Sequence, residues 1–307
     1  MTRIAFIGLG NMGSPMVGHL VAAGHAVRAY VRRPEAADRA RALGAEPCDS
    51  PADAARDAEV VFTNVTSTAD VEAVLLGPDG VIHGAPRGKP GGAVCIDHST
   101  ISAVATRRIA AELEAAGLDF LDAPVSGGTM GAQKATLSIM VGGRAEVLER
   151  VRPLLQLLGT TITHIGDHGA GQVAKACNQI VQVINIQGIA EAMLFARAQG
   201  TDPSRVLAAI GPGFAGSRML DMMGPKMAER DFAAGIEARL HDKDFGLVRD
   251  IARELGLKMP AMELVASQLD ALVASGWGRA ARAGSAERPR AGLSRNGHLV
   301  RSATFLA

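Results

Sequence analysis

RIAFIGLGNMG, residues Arg3–Gly13, is the stretch that decides the fold. Its apolar run, Ile4–Ile7, ends in glycine, as a buried strand does. Gly8, Gly10 and Gly13 follow with the spacing G-x-G-x-x-G, and Met12–Ala23 has helix composition up to Gly24. Strand, glycine turn and helix in that order are the context that a dinucleotide fingerprint requires. Gly8 permits the tight turn, Gly10 lets the backbone approach a pyrophosphate, and Gly13 allows close helix–strand packing. Leu9, Asn11 and Met12 complete the turn. The helix N-terminus offers free N–H groups and a favourable dipole to the phosphates.

Outward from this turn, strand-like runs recur at Ala26–Val31, Glu59–Asn64, Ala93–Asp97, Phe120–Ala123, Leu137–Gly142 and Thr161–Ile165. Helical runs at Pro34–Leu43, Ser102–Ala116 and Ala145–Leu158 alternate with them. That alternation predicts a mainly parallel sheet covered on both faces. From about Gly169 the pattern changes. Gln172–Ala198 reads as one long helix, and helices follow near Pro203–Ile210, Met219–Lys226, His241–Glu254 and Pro260–Ser275. The expected architecture is α/β: an N-terminal Rossmann-type, doubly wound sheet, then an all-α C-terminal domain with one long interdomain helix. Residues 1–166 are expected to bind NAD(P), and residues 167–278 to serve substrate binding and oligomerisation. A helix of roughly 27 residues is about 40 Å long, which exceeds a small domain and favours a homodimer or homotetramer.

At 307 residues, two domains are the natural expectation. A formal net charge of +1 argues against a nucleic-acid partner held by phosphate neutralisation, and 3% aromatic residues argue against base stacking. Cys48, Cys95 and Cys177 have neither zinc spacing nor a disulfide framework, which fits a reducing compartment, and Cys177 reads as a small buried residue. No metal-ligand cluster stands out. The chain enters its first strand at once, without a charged and apolar leader, so a cytoplasmic location is expected. The long helix carries Asn178, Gln179, Gln182, Asn185 and Gln187, which is too polar for a membrane span.

Cofactor choice turns on the end of the second strand. An NAD site usually places Asp or Glu there for the ribose hydroxyls. This chain has Val31, Arg32 and Arg33. Two guanidiniums can hold a 2′-phosphate by paired hydrogen bonds, which predicts NADP over NAD.

Two further motifs carry chemistry. DAPVSGG, Asp122–Gly128, follows a strand at the carboxyl end of the sheet. There Ser126, Gly127 and Gly128 offer a hydroxyl and backbone N–H groups suited to a substrate carboxylate. GQVAKACN, Gly171–Asn178, sets Lys175 and Asn178 three residues apart on one helical face. A lone helical lysine is ordinarily a solvated charge. One with a lowered pKa can exchange a proton with a hydroxyl carbon's oxygen. Lys243 and Asp244 form a second candidate, against the plain reading of a surface ion pair. Phe214, Ser217 and Arg218, in the segment Gly211–Met223 read as helical, are candidates for lining a substrate pocket.

With these residues in place, the chain resembles the 3-hydroxyisobutyrate dehydrogenase family of β-hydroxyacid dehydrogenases. The marks are Phe6–Met16, Asp97–Ile101 (DHSTI), Asp122–Gly128, Gly169–Asn178 and Lys243–Asp244. The resemblance implies Lys175 as general acid/base, with Ser126, Gly127, Gly128 and Asn178 on the substrate. It implies Asn64, Val65 and Thr100 near the nicotinamide half of the cofactor, and Lys243 at the closed active site. Arg32 stands where NADP-preferring reductases of the group carry an arginine. The implied reaction is reversible hydride transfer between NADP and a small 3-hydroxy acid or semialdehyde, without a metal.

The alternatives are an imine reductase-like enzyme, which typically lacks a lysine at the position of Lys175, and a non-catalytic NADP-binding protein. One departure stands out. Arg279–Ala307 contains six Arg and one Glu, with no Lys or Asp and no amphipathic period. This tail is expected to be either shifted in frame relative to the family's last helix or a disordered extension.

Overall fold

The computed structural model describes residues 1–32, 34–88, 92–231 and 238–274. Arg33 and the tail 279–307 lie outside the described residues, and so do the expectations placed on them. Two compact units divide the chain, Met1–Lys175 and Ala176 onward.

In the first unit one sheet contains β1 (Arg3–Ile7), β2 (Ala26–Tyr30), β3 (Glu46–Cys48), β4 (Val60–Thr63), β5 (Val94–Asp97), β6 (Asp119–Asp122), β7 (Val125–Ser126), β8 (Leu137–Gly142) and β9 (Gly159–Gly166). The order is β3-β2-β1-β4-β5-β6-β8-β7, with β9 beside β8. From β3 to β6 every pairing is parallel; β8 pairs antiparallel with β6 and β7. Between β1 and β4 the strand order reverses. A crevice opens at such a switch point, outside the carboxyl ends of the strands.

The pleat sorts the side chains of β1 into two cores. Ile4 and Phe6 join one with Met16, Val17, Leu20 and Leu148, while Ala5 and Ile7 join another with Val71, Leu75, Ile109 and Leu113. Both faces are buried, as a parallel sheet requires. The covering helices are α1 (Gly13–Ala22), α2 (Pro34–Ala42), α3 (Pro51–Ala55), α4 (Thr68–Leu76), α5 (Val81–Gly84), α6 (Ala103–Ala115), α7 (Gly128–Gln133) and α8 (Ala145–Leu155).

Six of these elements, β3, β7, α3, α4, α5 and α7, do not stand out in the sequence. β3 is three residues long and contains Pro47, so no alternation can develop. α4 is signalled only by its ends: Ser67 and Asp70 form a reciprocal capping box, ahead of Val71, Val74 and Leu75 on one buried face.

Next comes α9 (Ala170–Ala198), then α10 (Pro203–Ile210), α11 (Arg218–Glu229), α12 (Ala238–Glu254) and α13 (Pro260–Ala274). At 29 residues α9 is about 43 Å long. By length and composition it could cross a membrane. Its Val183, Ile186, Ala190 and Met193 are instead buried in the second unit's own core, with Phe245, Val265 and Leu269.

Two expectations need correction. Gly211–Met223 is not one helical segment: α10 ends at Ile210, a loop follows, and α11 begins at Arg218. Gly211, Gly213 and Gly216 favour the loop, and Ser217 accepts the N–H of Leu220 at 3.0 Å to cap α11. Cys177 is exposed rather than buried, because its position on α9 faces away from the helical core.

Candidate active site

The turn after β1 is built by exclusion. Gly8 has φ +103°, and a Cβ there would lie 2.3 Å from the Asn64 carbonyl oxygen. A Cβ on Gly13 would lie 2.1 Å from the Gly8 carbonyl oxygen. Around Gly10 there is open space. Two glycines therefore serve protein packing, and the middle one leaves backbone accessible to a ligand.

Beside this turn lies a cavity of about 400 Å³, lined among others by Gly8, Leu9, Gly10, Arg32, Asn64 and Val65. Six residues singled out in the sequence are thus brought together. Asn11, Met12 and Gly13 do not line it; Met12 packs against the core and Gly13 opens α1. Tyr30, Thr66, Asp70 and Val74 also line the cavity without having been anticipated. The capping box was the signal that could have found Asp70. Arg32 Nη1 donates to Asp70 Oδ1 at 3.0 Å, and Arg32 is 68% exposed.

Backbone bonds tie the strand ends together. Gly8 N–H donates to Tyr30 O, Asn64 N–H to Ile7 O, His98 N–H to Thr63 O and Ala123 N–H to Asp97 O. Asp97, wholly buried, accepts from Thr63 Oγ1 at 2.7 Å and from Ser99 N–H at 3.1 Å on Oδ1. Burial pushes its carboxyl up to about 6 despite these donors. His98 is pushed down to about 4 by burial and is neutral at pH 7. Its Nδ1 lies 2.6 Å from Ala123 O, the arrangement of a donated bond, and its ring stacks on Phe62. Thr100 follows in the same loop.

Ser126 closes β7 opposite Ser138. Gly127 and Gly128 both have positive φ, at +128° and +60°, where β-carbons are disfavoured, and they turn the chain into α7. Asp122, at the end of β6, accepts Gly169 N–H at 2.8 Å and Gln172 N–H at 3.0 Å. This carboxylate satisfies orphan donors where α9 begins. Gly171 permits the approach: a Cβ there would lie 2.4 Å from Met140 O and 2.7 Å from Asp122 O. Lys175 follows one turn later and is 8% exposed.

Asn178 and Lys243 belong to the second unit. Asn178 Nδ2 donates to Gln179 Oε1 at 2.9 Å. Gln179 Nε2 donates to Asp244 Oδ2 at 2.6 Å, and Lys243 Nζ lies 3.0 Å from Asp244 Oδ1. Phe214 is fully exposed in the loop before α11. Among the described residues, no group of His, Cys, Asp or Glu is placed to hold a metal ion.

Residues 3–166 match the NAD-binding domain of 6-phosphogluconate dehydrogenase, and residues 169–286 match the NAD-binding domain of NADP-dependent 3-hydroxyisobutyrate dehydrogenase. The 2-hydroxy-3-oxopropionate reductase of Escherichia coli is 42% identical over 258 residues, 84% of this chain and 87% of that protein. The chain belongs to the 3-hydroxyisobutyrate dehydrogenase family. A solved family member, the 3-hydroxyisobutyrate dehydrogenase of Mycobacterium tuberculosis with L-serine, is 35% identical with TM-score 0.82, over 91% of this chain and 96% of that one. The imine reductase of Myxococcus stipitatus, 20% identical with TM-score 0.61 over 90% of this chain and 96% of that one, shares the fold alone. As a member of the 3-hydroxyisobutyrate dehydrogenase family, the protein is an NAD(P)-dependent oxidoreductase acting on the CH–OH group of a hydroxy acid.

Proposed function

We propose that the protein prefers NADP and interconverts a small 3-hydroxy acid and its semialdehyde, with Lys175 as general acid/base. The observation that carries this reading is the burial of Lys175, one helical turn after Gly171, whose backbone packs against Asp122 and Met140. Lysine is rarely buried as a mere surface charge, and here glycines and a capping carboxylate bring its helix in. The open backbone at Gly10, between two glycines that protein atoms fill, fits a pyrophosphate. The nicotinamide, when bound, accepts or supplies the hydride.

Gly8–Gly13 would hold the pyrophosphate, Arg32 the 2′-phosphate, and Asn64, Val65, Thr100 and Lys243 the nicotinamide side. Ser126, Gly127 and Gly128 would bind the substrate carboxylate, and Asn178 a substrate oxygen. In oxidation the Lys175 amine takes the hydroxyl proton as hydride leaves the same carbon. In reduction the ammonium returns a proton to the carbonyl oxygen. The Escherichia coli relative is named for a hydroxy-oxo acid and the Mycobacterium tuberculosis protein was solved with L-serine, so short carboxylate-bearing substrates form the panel to try. A homodimer or homotetramer in the cytoplasm completes the reading; the three cysteines are free, as a reducing compartment allows.

NADPH oxidation against short aldehyde acids, with NADH alongside, tests it. Lys175→Ala should lower kcat by about a hundredfold or more, the scale of general acid–base catalysis, while NADPH still binds. Near-normal turnover in that variant would remove Lys175 from the chemistry.

A further inference from the structure

Gln172 lies one helical turn before Lys175 and is 3% exposed. Its side chain reaches from α9 to the loop after β5. Oε1 accepts Ile101 N–H at 3.1 Å, and Nε2 donates to Ser99 O at 2.9 Å. One amide therefore grips the backbone on both sides of Thr100. Ser99 continues the network: its Oγ accepts Val65 N–H at 2.9 Å, and its own N–H donates to Asp97 Oδ1. Bonds thus run from the loop after β4, through the loop after β5, to the helical turn ahead of Lys175. A buried amide whose donor and acceptor are both used has one orientation, because flipping it would break both bonds.

The geometry points to Gln172 as a positioning residue that locks the Val65 and Thr100 loops to the turn carrying Lys175, so that nicotinamide and proton-transfer group keep one register. This rests on the reading of Lys175, Val65 and Thr100 given above. Gln172 acts through the backbone it holds. Misplacement of reacting groups by about 1 Å can cost about a hundredfold in rate, so a loosened clamp is felt in kcat.

Two variants and two readouts test the clamp. Gln172→Met keeps the length and loses both bonds. Gln172→Glu keeps the acceptor, and only its protonated form restores the donor. The ionisable groups around that position include Asp97 through Ser99, Asp122 at the Gln172 N–H, His168 beside Asp122, Arg107 beside Gly169, and Lys175 on the same helix. Burial near two carboxyls favours the protonated form of the introduced acid.

Gln172→Met should lower kcat about tenfold or more with the NADPH dissociation constant little changed, since the glycine turn is untouched. Gln172→Glu should regain activity relative to wild type as the pH falls from about 8 to about 5.5, as protonation restores the donor. Hydrogen exchange over residues 99–102 should quicken in Gln172→Met, a readout that needs no substrate. Unchanged exchange there, or a pH-independent ratio for Gln172→Glu, would overturn the proposal. If Gln172→Met does not fold, the Gln172→Glu ratio decides. A wild-type enzyme with no turnover would count against the Lys175 reading alone, and exchange would still decide the clamp.

Discussion

Arg32 Nη1 sits 3.0 Å from Asp70 Oδ1, and such an exposed pair contributes little to stability. The guanidinium is therefore able to turn to a phosphate at small cost. Arg32→Ala should weaken NADPH binding about tenfold or more, the scale of one charge-assisted hydrogen bond, and leave NADH nearly unaffected; paired titrations check this. Equal effects on both cofactors would show that Arg32 does not read the 2′-phosphate.

Asp97 gives a stability prediction. Its folded pKa is raised from 3.8 to about 6, so the folded state binds the proton more tightly than the unfolded chain. The resulting stabilisation is fully present below about pH 4 and is lost as the pH rises through about 6. A shift of about two units corresponds to roughly 3 kcal/mol at most. Relative to Asp97→Asn, the wild type should gain stability between pH 7 and pH 5, read by denaturant melts. A constant difference would place the proton elsewhere. Asp97 was legible as part of DHSTI. Its proton affinity was not, because that depends on burial under strands remote in sequence.

At the scale of elements, the β1–α1 turn separates packing from binding within six residues. In Gly13→Ala the new methyl meets the Gly8 carbonyl oxygen, and the overpacking should cost about 1–3 kcal/mol or more. Gly10→Ala meets nothing within 4 Å, so stability should change by no more than about 0.5 kcal/mol. The same methyl occupies the space a pyrophosphate would use, and NADPH affinity should fall about tenfold or more, the scale of a lost backbone bond. Thermal melts and cofactor titration of both variants separate the two roles. The spacing of the glycines announced this turn. The start of α9 was less legible. Gly169 and Gly171 are visible in the sequence, but Asp122, which caps that turn, lies about 50 residues earlier.

At the scale of the molecule, α9 exposes Val181, Leu194 and Phe195, large apolar side chains on one helix. Together with the length of α9 they support a second copy as the partner. Light scattering on the purified protein should give the mass of a dimer or tetramer, and Phe195→Glu should lower it; a monomeric wild type would refute the assembly. By itself the sequence determined the main alternation of strands and helices, the change to helices alone near Gly169, the dinucleotide turn and the family. Those features are written in short continuous apolar runs, in helix composition and in glycine spacing, which act between near neighbours. Only the tertiary structure decided that Lys175 is buried, that burial raises the Asp97 carboxyl to about 6, and that Gln172 grips both sides of Thr100. Each of these depends on contacts between segments tens of residues apart, where burial and hydrogen bonding arise from the sheet's crossovers and leave no local pattern in the chain.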